Sequence, residues 1–96
     1  MLINGLDFRE TSFACPEQYD VFDDNGNQVG YVRLRFGCLR ADFPDCGCET
    51  VYRRYFNDDD LKGCFDSDEE RTQYLTEISD ILKEWINGNP ISSLED

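Results

Sequence analysis

The chain has 96 residues and carries 21 acidic against nine basic side chains, giving a net charge of −12 at pH 7, a sequence pI near 4.1 and no histidine. That length suits one domain with one core, and a 40% hydrophobic and 14% aromatic content belongs to a folding chain rather than a disordered one. Such a field repels nucleic acids and anionic membranes and attracts basic surfaces, so direct nucleic-acid and membrane binding are not expected and a basic partner is.

Residues 1–17 alternate loosely, with Leu2, Leu6, Phe8 and Phe13 available for burial before Pro16 interrupts, and read as an N-terminal arm. From residue 18 the pattern sharpens into a sheet that continues to residue 56. Tyr19-Asp20-Val21-Phe22 runs into Asp23-Asp24-Asn25-Gly26-Asn27, and Asn-Gly is the strongest short hairpin signal because both central residues of a type I′ turn need positive φ. The next strand, Val29 to Phe36, places Val32, Leu34 and Phe36 on one face and Tyr31, Arg33 and Arg35 on the other. A two-residue turn at Gly37-Cys38 would pair Phe36 with Leu39, Leu34 with Ala41 and Val32 with Phe43, and would set Arg33 opposite Asp42. Pro44 to Cys48 breaks the pattern, and Glu49-Thr50-Val51-Tyr52-Arg53-Arg54-Tyr55-Phe56 reads as a fourth strand.

Residues 57–66 form an acidic loop, and Ser67-Asp68-Glu69-Glu70 is a capping box that opens a helix over 67–88. Apolar residues at Tyr74, Leu75, Ile78, Ile81, Leu82, Trp85 and Ile86 form one stripe on that helix, and Asn87-Gly88-Asn89-Pro90 ends it. Residues 89–96 look like a frayed tail. The expected architecture is α+β: one domain, with a four-stranded antiparallel meander packed on one C-terminal helix.

Chemistry is sparse in this inventory. Without histidine, the Ser-His-Asp, Cys-His and His-metal arrangements are excluded, and no glycine-rich phosphate loop is present, so no enzyme is expected. Five cysteines, Cys15, Cys38, Cys46, Cys48 and Cys64, form an odd set. The N-terminus lacks the basic and apolar regions of a signal peptide, which implies a cytoplasmic location, reduced thiols and no disulfides. Cys46 and Cys48 have one residue between them, wrong for a zinc knuckle and for C-x-x-C redox chemistry, and Asp23 to Asn27 lacks the glycine and glutamate positions of a calcium loop. No metal or cofactor is expected.

The charge itself is the strongest signal. Residues 57–96 hold twelve of the acids and only three bases. Asp68, Glu69 and Glu70 complement the dipole at the helix N-terminus, but Asp58, Asp59, Asp60, Asp66, Glu77, Asp80 and Glu84 exceed what a helix start needs, and Asp80 and Glu84 repel at i,i+4. Carboxylates spaced along a loop and helix can imitate the phosphates of a nucleic acid and occupy an Arg/Lys-lined groove; plain solubility is the competing reading. On the sheet's outer face Arg33, Arg35 and Arg40, with Arg53 or Arg54, lie beside Tyr31, which is compatible with RNA stacking, although cross-strand pairing with Asp20 and Asp42 would also account for them.

The strings Asp24-Asn25-Gly26 to Gly30-Tyr31-Val32-Arg33-Leu34-Arg35, Pro44-Asp45, Glu49-Thr50-Val51-Tyr52 and Phe65-Asp66-Ser67-Asp68-Glu69-Glu70-Arg71 together resemble small proteins of bacteriophages and other bacterial mobile elements. The resemblance is to the type of acidic inhibitor of host defence that includes anti-CRISPR proteins, and it specifies no functional residue. It implies a non-enzymatic inhibitor whose partner is a basic host protein such as a CRISPR effector. The ten carboxylates Asp58, Asp59, Asp60, Asp66, Asp68, Glu69, Glu70, Glu77, Asp80 and Glu84 are the candidate contact residues. The alternative expectation is a self-associating structural module of a phage or mobile element.

Overall fold

The computed structural model describes every residue except Phe13 and Asp96, so the candidate core position at Phe13 lies outside the described residues. One seven-stranded sheet runs in chain order: β1 (Leu2–Ile3), β2 (Leu6–Glu10), β3 (Glu17–Phe22), β4 (Gln28–Arg35), β5 (Cys38–Phe43), β6 (Glu49–Tyr55) and β7 (Ser93–Leu94). All neighbours are antiparallel except β6 and β7, which are parallel and are joined across one face of the sheet by α1 (Asp68–Ile86). The α+β class with a C-terminal helix on a sheet stands, but the sheet has seven strands where four were expected. The arm supplies β1 and β2, and the segment read as a frayed tail supplies β7.

The arm's hairpin follows from Asn4-Gly5, whose φ values of 52° and 81° are those of a type I′ turn, pairing Ile3 with Leu6. Asn25-Gly26 behaves differently. Only Gly26 has positive φ there, and Asp23 closes a five-residue loop by accepting the amides of Asn25 and Asn27 on Oδ1, each at 2.9 Å.

The β4–β5 turn falls one residue earlier than expected. Phe36 and Gly37 occupy it with φ of 51° and 71°, so Arg35 pairs with Cys38, Leu34 with Leu39 and Val32 with Ala41. Alternation is preserved, and Leu34, Leu39 and Ala41 still point inward. Phe36, however, is 65% exposed instead of buried, and Arg33 stands opposite Arg40 instead of Asp42.

The core lies between α1 and the sheet. Leu75, Ile78 and Leu82 of the helix are fully buried against Tyr19, Val21, Val32, Leu34, Leu39, Ala41 and Val51, each such aliphatic side chain contributing about 1.5–3 kcal/mol. Gly30 lets the helix come close: a Cβ there would lie 2.7 Å from Leu82 Cδ1. At the helix start the Ser67 hydroxyl accepts the Glu70 amide at 3.1 Å, while the Glu70 carboxylate takes the amide of Asp66, one residue before its expected partner. At the end, Gly88 with φ 86° allows Gly88 N–H to reach Trp85 O and Asn89 N–H to reach Glu84 O, a Schellman motif. The chain then returns along β6, where Trp85 Nε1 donates to the carbonyl of Ile91 and Glu95 N–H to Arg53 O at 2.8 Å.

Gly37 carries a double constraint, positive φ and an ideal Cβ position 2.7 Å from the backbone oxygen of Asp59, whereas Gly26 has positive φ and nothing within 4 Å. Urea unfolding should therefore show Gly26→Ala losing about 1 kcal/mol and Gly37→Ala losing a further 1–3 kcal/mol or so. Equal losses would mean that the loop yields to the added methyl.

Candidate functional site

The ten candidate carboxylates separate into three groups. Asp66, Asp68 and Glu70 are spent inside the molecule. Lys62, whose side chain is only 5% exposed, places Nζ 2.9 Å from Asp66 and 3.1 Å from Glu70. Burial pulls the Lys62 ammonium down, but those two carboxylates outweigh it and raise its pKa. Asp68 pairs with Arg71, whose Nε lies 2.6 Å from the buried carboxylate of Glu17.

Asp58, Asp59 and Asp60 form the second group, on the exposed loop after β6. Asp59 Oδ1 accepts the Leu61 amide at 3.2 Å, and the loop is fastened to the β4–β5 turn by Gly37 N–H to Lys62 O at 2.9 Å and Phe56 N–H to Gly37 O at 2.7 Å. Glu69, Glu77, Asp80 and Glu84 form the third, on the exposed side of α1, where Glu77 also lies close enough to Tyr52 of β6 to add to the burial that raises the tyrosine's pKa. Glu69, Glu77 and Asp80 are exposed and Glu84 is partly so. At 1.5 Å per residue, Glu69 and Glu84 stand about 22 Å apart. Asp80 also accepts Asn4 Nδ2 at 3.0 Å, and Glu84 accepts Asn89 Nδ2 at 3.1 Å, so two of the four are fixed by neighbours without being neutralised.

The network around Glu17 was not foreseen. Glu17 is 3% exposed and accepts from the Tyr19 hydroxyl, from Arg71 Nε, and from the Phe65 amide at 3.2 Å. Burial pushes its carboxyl up, yet the Arg71, Tyr19 and Phe65 hydrogen bonds together prevail and hold it below its ordinary value. Burial and the adjacent Glu17 carboxylate raise Tyr19 in turn. The signal was the period-2 pattern: carried back two residues from Tyr19 and Val21, the inward face reaches Glu17.

Cys15 and Cys64 are disulfide-bonded, with Cα atoms 5.5 Å apart, which corrects the expectation of five reduced thiols. The chain before β3 and the chain before α1 run side by side, as the 2.7 Å bond from Glu17 N–H to Gly63 O shows, and this brings the two cysteines within reach. Cys38, Cys46 and Cys48 are free. Among the described residues no group of three or more Cys, Asp or Glu converges in a way that could hold a metal ion, and no helix is long and apolar enough to cross a membrane.

The outer face of the sheet, opposite α1, carries the arginines. Arg33, Arg40 and Arg53 stand directly beside one another on β4, β5 and β6. Arg54 points to the other side, over the ring of Tyr74 at 5.1 Å. Tyr31 is 8% exposed with its hydroxyl 3.2 Å from Gln18, leaving little ring area for stacking. The fold thus defines an α+β protein with carboxylates on its helical side and arginines on its bare sheet side. No family model matches the chain, and neither the curated proteins nor the solved structures yield a match.

Glu17→Ala removes the acceptor of the Tyr19 hydroxyl and the buried Phe65 amide while leaving Arg71 paired with Asp68, so it should destabilise the protein by about 1–3 kcal/mol in chemical unfolding. Because the folded pKa of Glu17 is depressed from 4.5, the stability it contributes is complete above that value and is lost as pH falls through it and then through the lower folded value. Glu17→Gln should flatten this acid limb of the stability profile, and an unchanged limb would assign acid sensitivity to other carboxylates.

Proposed function

We propose that the protein is a non-enzymatic inhibitor that acts in the cytoplasm of a bacterial host by occupying the basic groove of a nucleic-acid-binding defence protein, a CRISPR effector being the leading candidate. The observation that carries this reading is the line of Glu69, Glu77, Asp80 and Glu84 along the solvent side of α1, on a helix whose opposite side is locked into the core. A rigid helix presents these charges without the ordering cost that a disordered acidic segment would incur on binding. Asp58, Asp59 and Asp60 add a second acidic group on a loop pinned to the β4–β5 turn. Asp66, Asp68 and Glu70 contribute less to the acidic surface because each is ion-paired with Lys62 or Arg71.

Phosphate mimicry makes the interaction strongly salt-dependent. A partner captured from bacterial lysate at low ionic strength should be released as salt rises, its affinity falling roughly tenfold or more between 50 and 200 mM, and it should lose its own nucleic acid when this protein binds. The double variant Glu77→Lys and Asp80→Lys should abolish capture with an unchanged circular dichroism spectrum. A salt-independent complex would reject phosphate mimicry.

A self-associating module is the second reading, and it is favoured by Phe36 and Leu61, 65% and 77% exposed, which border a concavity with Pro16 and Arg35. Edge-to-edge sheet pairing supports it poorly, because β1 and β7 are each only two residues long. Sedimentation over a hundredfold concentration range separates the readings: inhibition by occupancy needs only a monomer.

A further inference from the structure

We propose that the outer face of the sheet is a binding site for a compact, soluble polyphosphate anion, gripped by Arg33, Arg40 and Arg53. The register sets Arg33 opposite Arg40 and Arg40 opposite Arg53. Neighbouring strands are spaced by roughly 4.8 Å, so the three side chains leave the sheet within a row about 10 Å across. Like charges directly opposite one another destabilise a sheet. A fold with 21 acids to distribute nevertheless leaves this row thinly compensated.

Arg33 and Arg53 show the deficit in charge, and Arg40, though ion-paired, shows it in hydrogen bonding. Arg40 Nε is 3.4 Å from Asp42, but it is shielded from solvent and has no hydrogen-bond partner among the described residues. Asp42 itself is engaged by the Gly47 amide at 3.0 Å and the Thr50 hydroxyl at 2.9 Å. Arg53 Nε donates to the Glu95 carbonyl at 3.1 Å, a neutral acceptor, and Arg33 forms no ion pair with a described residue. The row's field also reaches Cys38 on the same face, where Arg53, Arg40 and Arg33 all act to lower a thiol that burial nonetheless raises. No helix covers this side, since α1 packs on the other.

Charge complementarity selects the occupant. Three guanidinium forks in so short a row match several negative groups in one small ligand, and the planar fork suits tetrahedral phosphate oxygens. Compactness follows from the rest of the molecule: at −12 overall, a long polyanion that overran the row would meet repulsion, whereas a chain of two or three phosphates sits within it. This site is independent of the helix carboxylates and stands or falls separately from the inhibitory reading.

Calorimetric titration of the whole protein with inorganic tripolyphosphate, against sodium chloride of matched ionic strength, tests the site. Binding is expected at submillimolar ligand, with a matching rise in melting temperature, and Arg33→Gln and Arg53→Gln should each weaken it about tenfold. Without ligand, Arg33→Gln should melt no lower than the parent, since it relieves a like-charge opposition. Lys83→Gln, on α1, should leave binding unchanged. No binding, or equal binding by the arginine variants, would overturn the assignment. So would tighter binding of single-stranded RNA twenty nucleotides long, which would make the face a nucleic-acid surface instead.

Discussion

Glu17 is a charged residue in a place where sheet and helix would otherwise meet through apolar side chains, and the packing of both layers converges on it. It lies at the first position of β3, where its backbone amide holds the segment before α1 and its carboxylate receives Arg71 from the first turn of that helix. The start of the helix is thus tied to the sheet by a charged, directional contact, beside which the apolar stripe packs on Val32, Leu34 and Leu39. Burial of such a pair is a poor source of net stability compared with a hydrophobic substitute. Its value here is positional, because grease alone does not prescribe where along the sheet a helix must start.

Lys62 has the same role in the loop that precedes the helix. Together Lys62 and Arg71 pair with Glu17, Asp66, Asp68 and Glu70, two cations against four carboxylates, so the acidic segment is tied to the core while keeping a net negative charge. The carboxylates with no cation beside them lie further along α1 and on the loop after β6. The three aligned arginines of β4, β5 and β6 stand on the opposite face of the sheet, separated from those carboxylates by the thickness of the two layers.

The sheet's centre and the helix were legible because period-2 and period-3.6 patterns there are long enough to be unambiguous, and the Ser67 cap and Gly88 stop state their boundaries chemically. The two-residue strands at the edges were not, since no periodicity exists in so short a run; β7 in particular is held by Trp85 and the Arg53 backbone, contacts that have no local sequence signature. Turn chemistry is a less direct guide, because neighbouring side chains compete for the same amides. Asn4-Gly5 makes the type I′ turn, while at Asn25-Gly26 the side chain of Asp23 captures the amides and imposes a longer loop. Phe36 occupies a positive-φ position that sequence preference would assign elsewhere, and both registers keep Leu34, Leu39 and Ala41 inward, so the apolar pattern did not distinguish them. For the candidate site, composition revealed the surplus of acid but not its division, which depends on which carboxylates two half-hidden cations can reach.

The bridge between Cys15 and Cys64 spans 49 positions of sequence and encloses β3 to β6 entire. Joining ends that far apart removes freedom chiefly from the unfolded chain, by about 4 kcal/mol in a loop-entropy treatment. The folded shape would scarcely register its loss, since the Glu17 to Gly63 hydrogen bond already keeps the two segments adjacent. One and the same architecture would thus persist with the bridge open or closed, and the surrounding thiol chemistry would set the margin by which it resists unfolding.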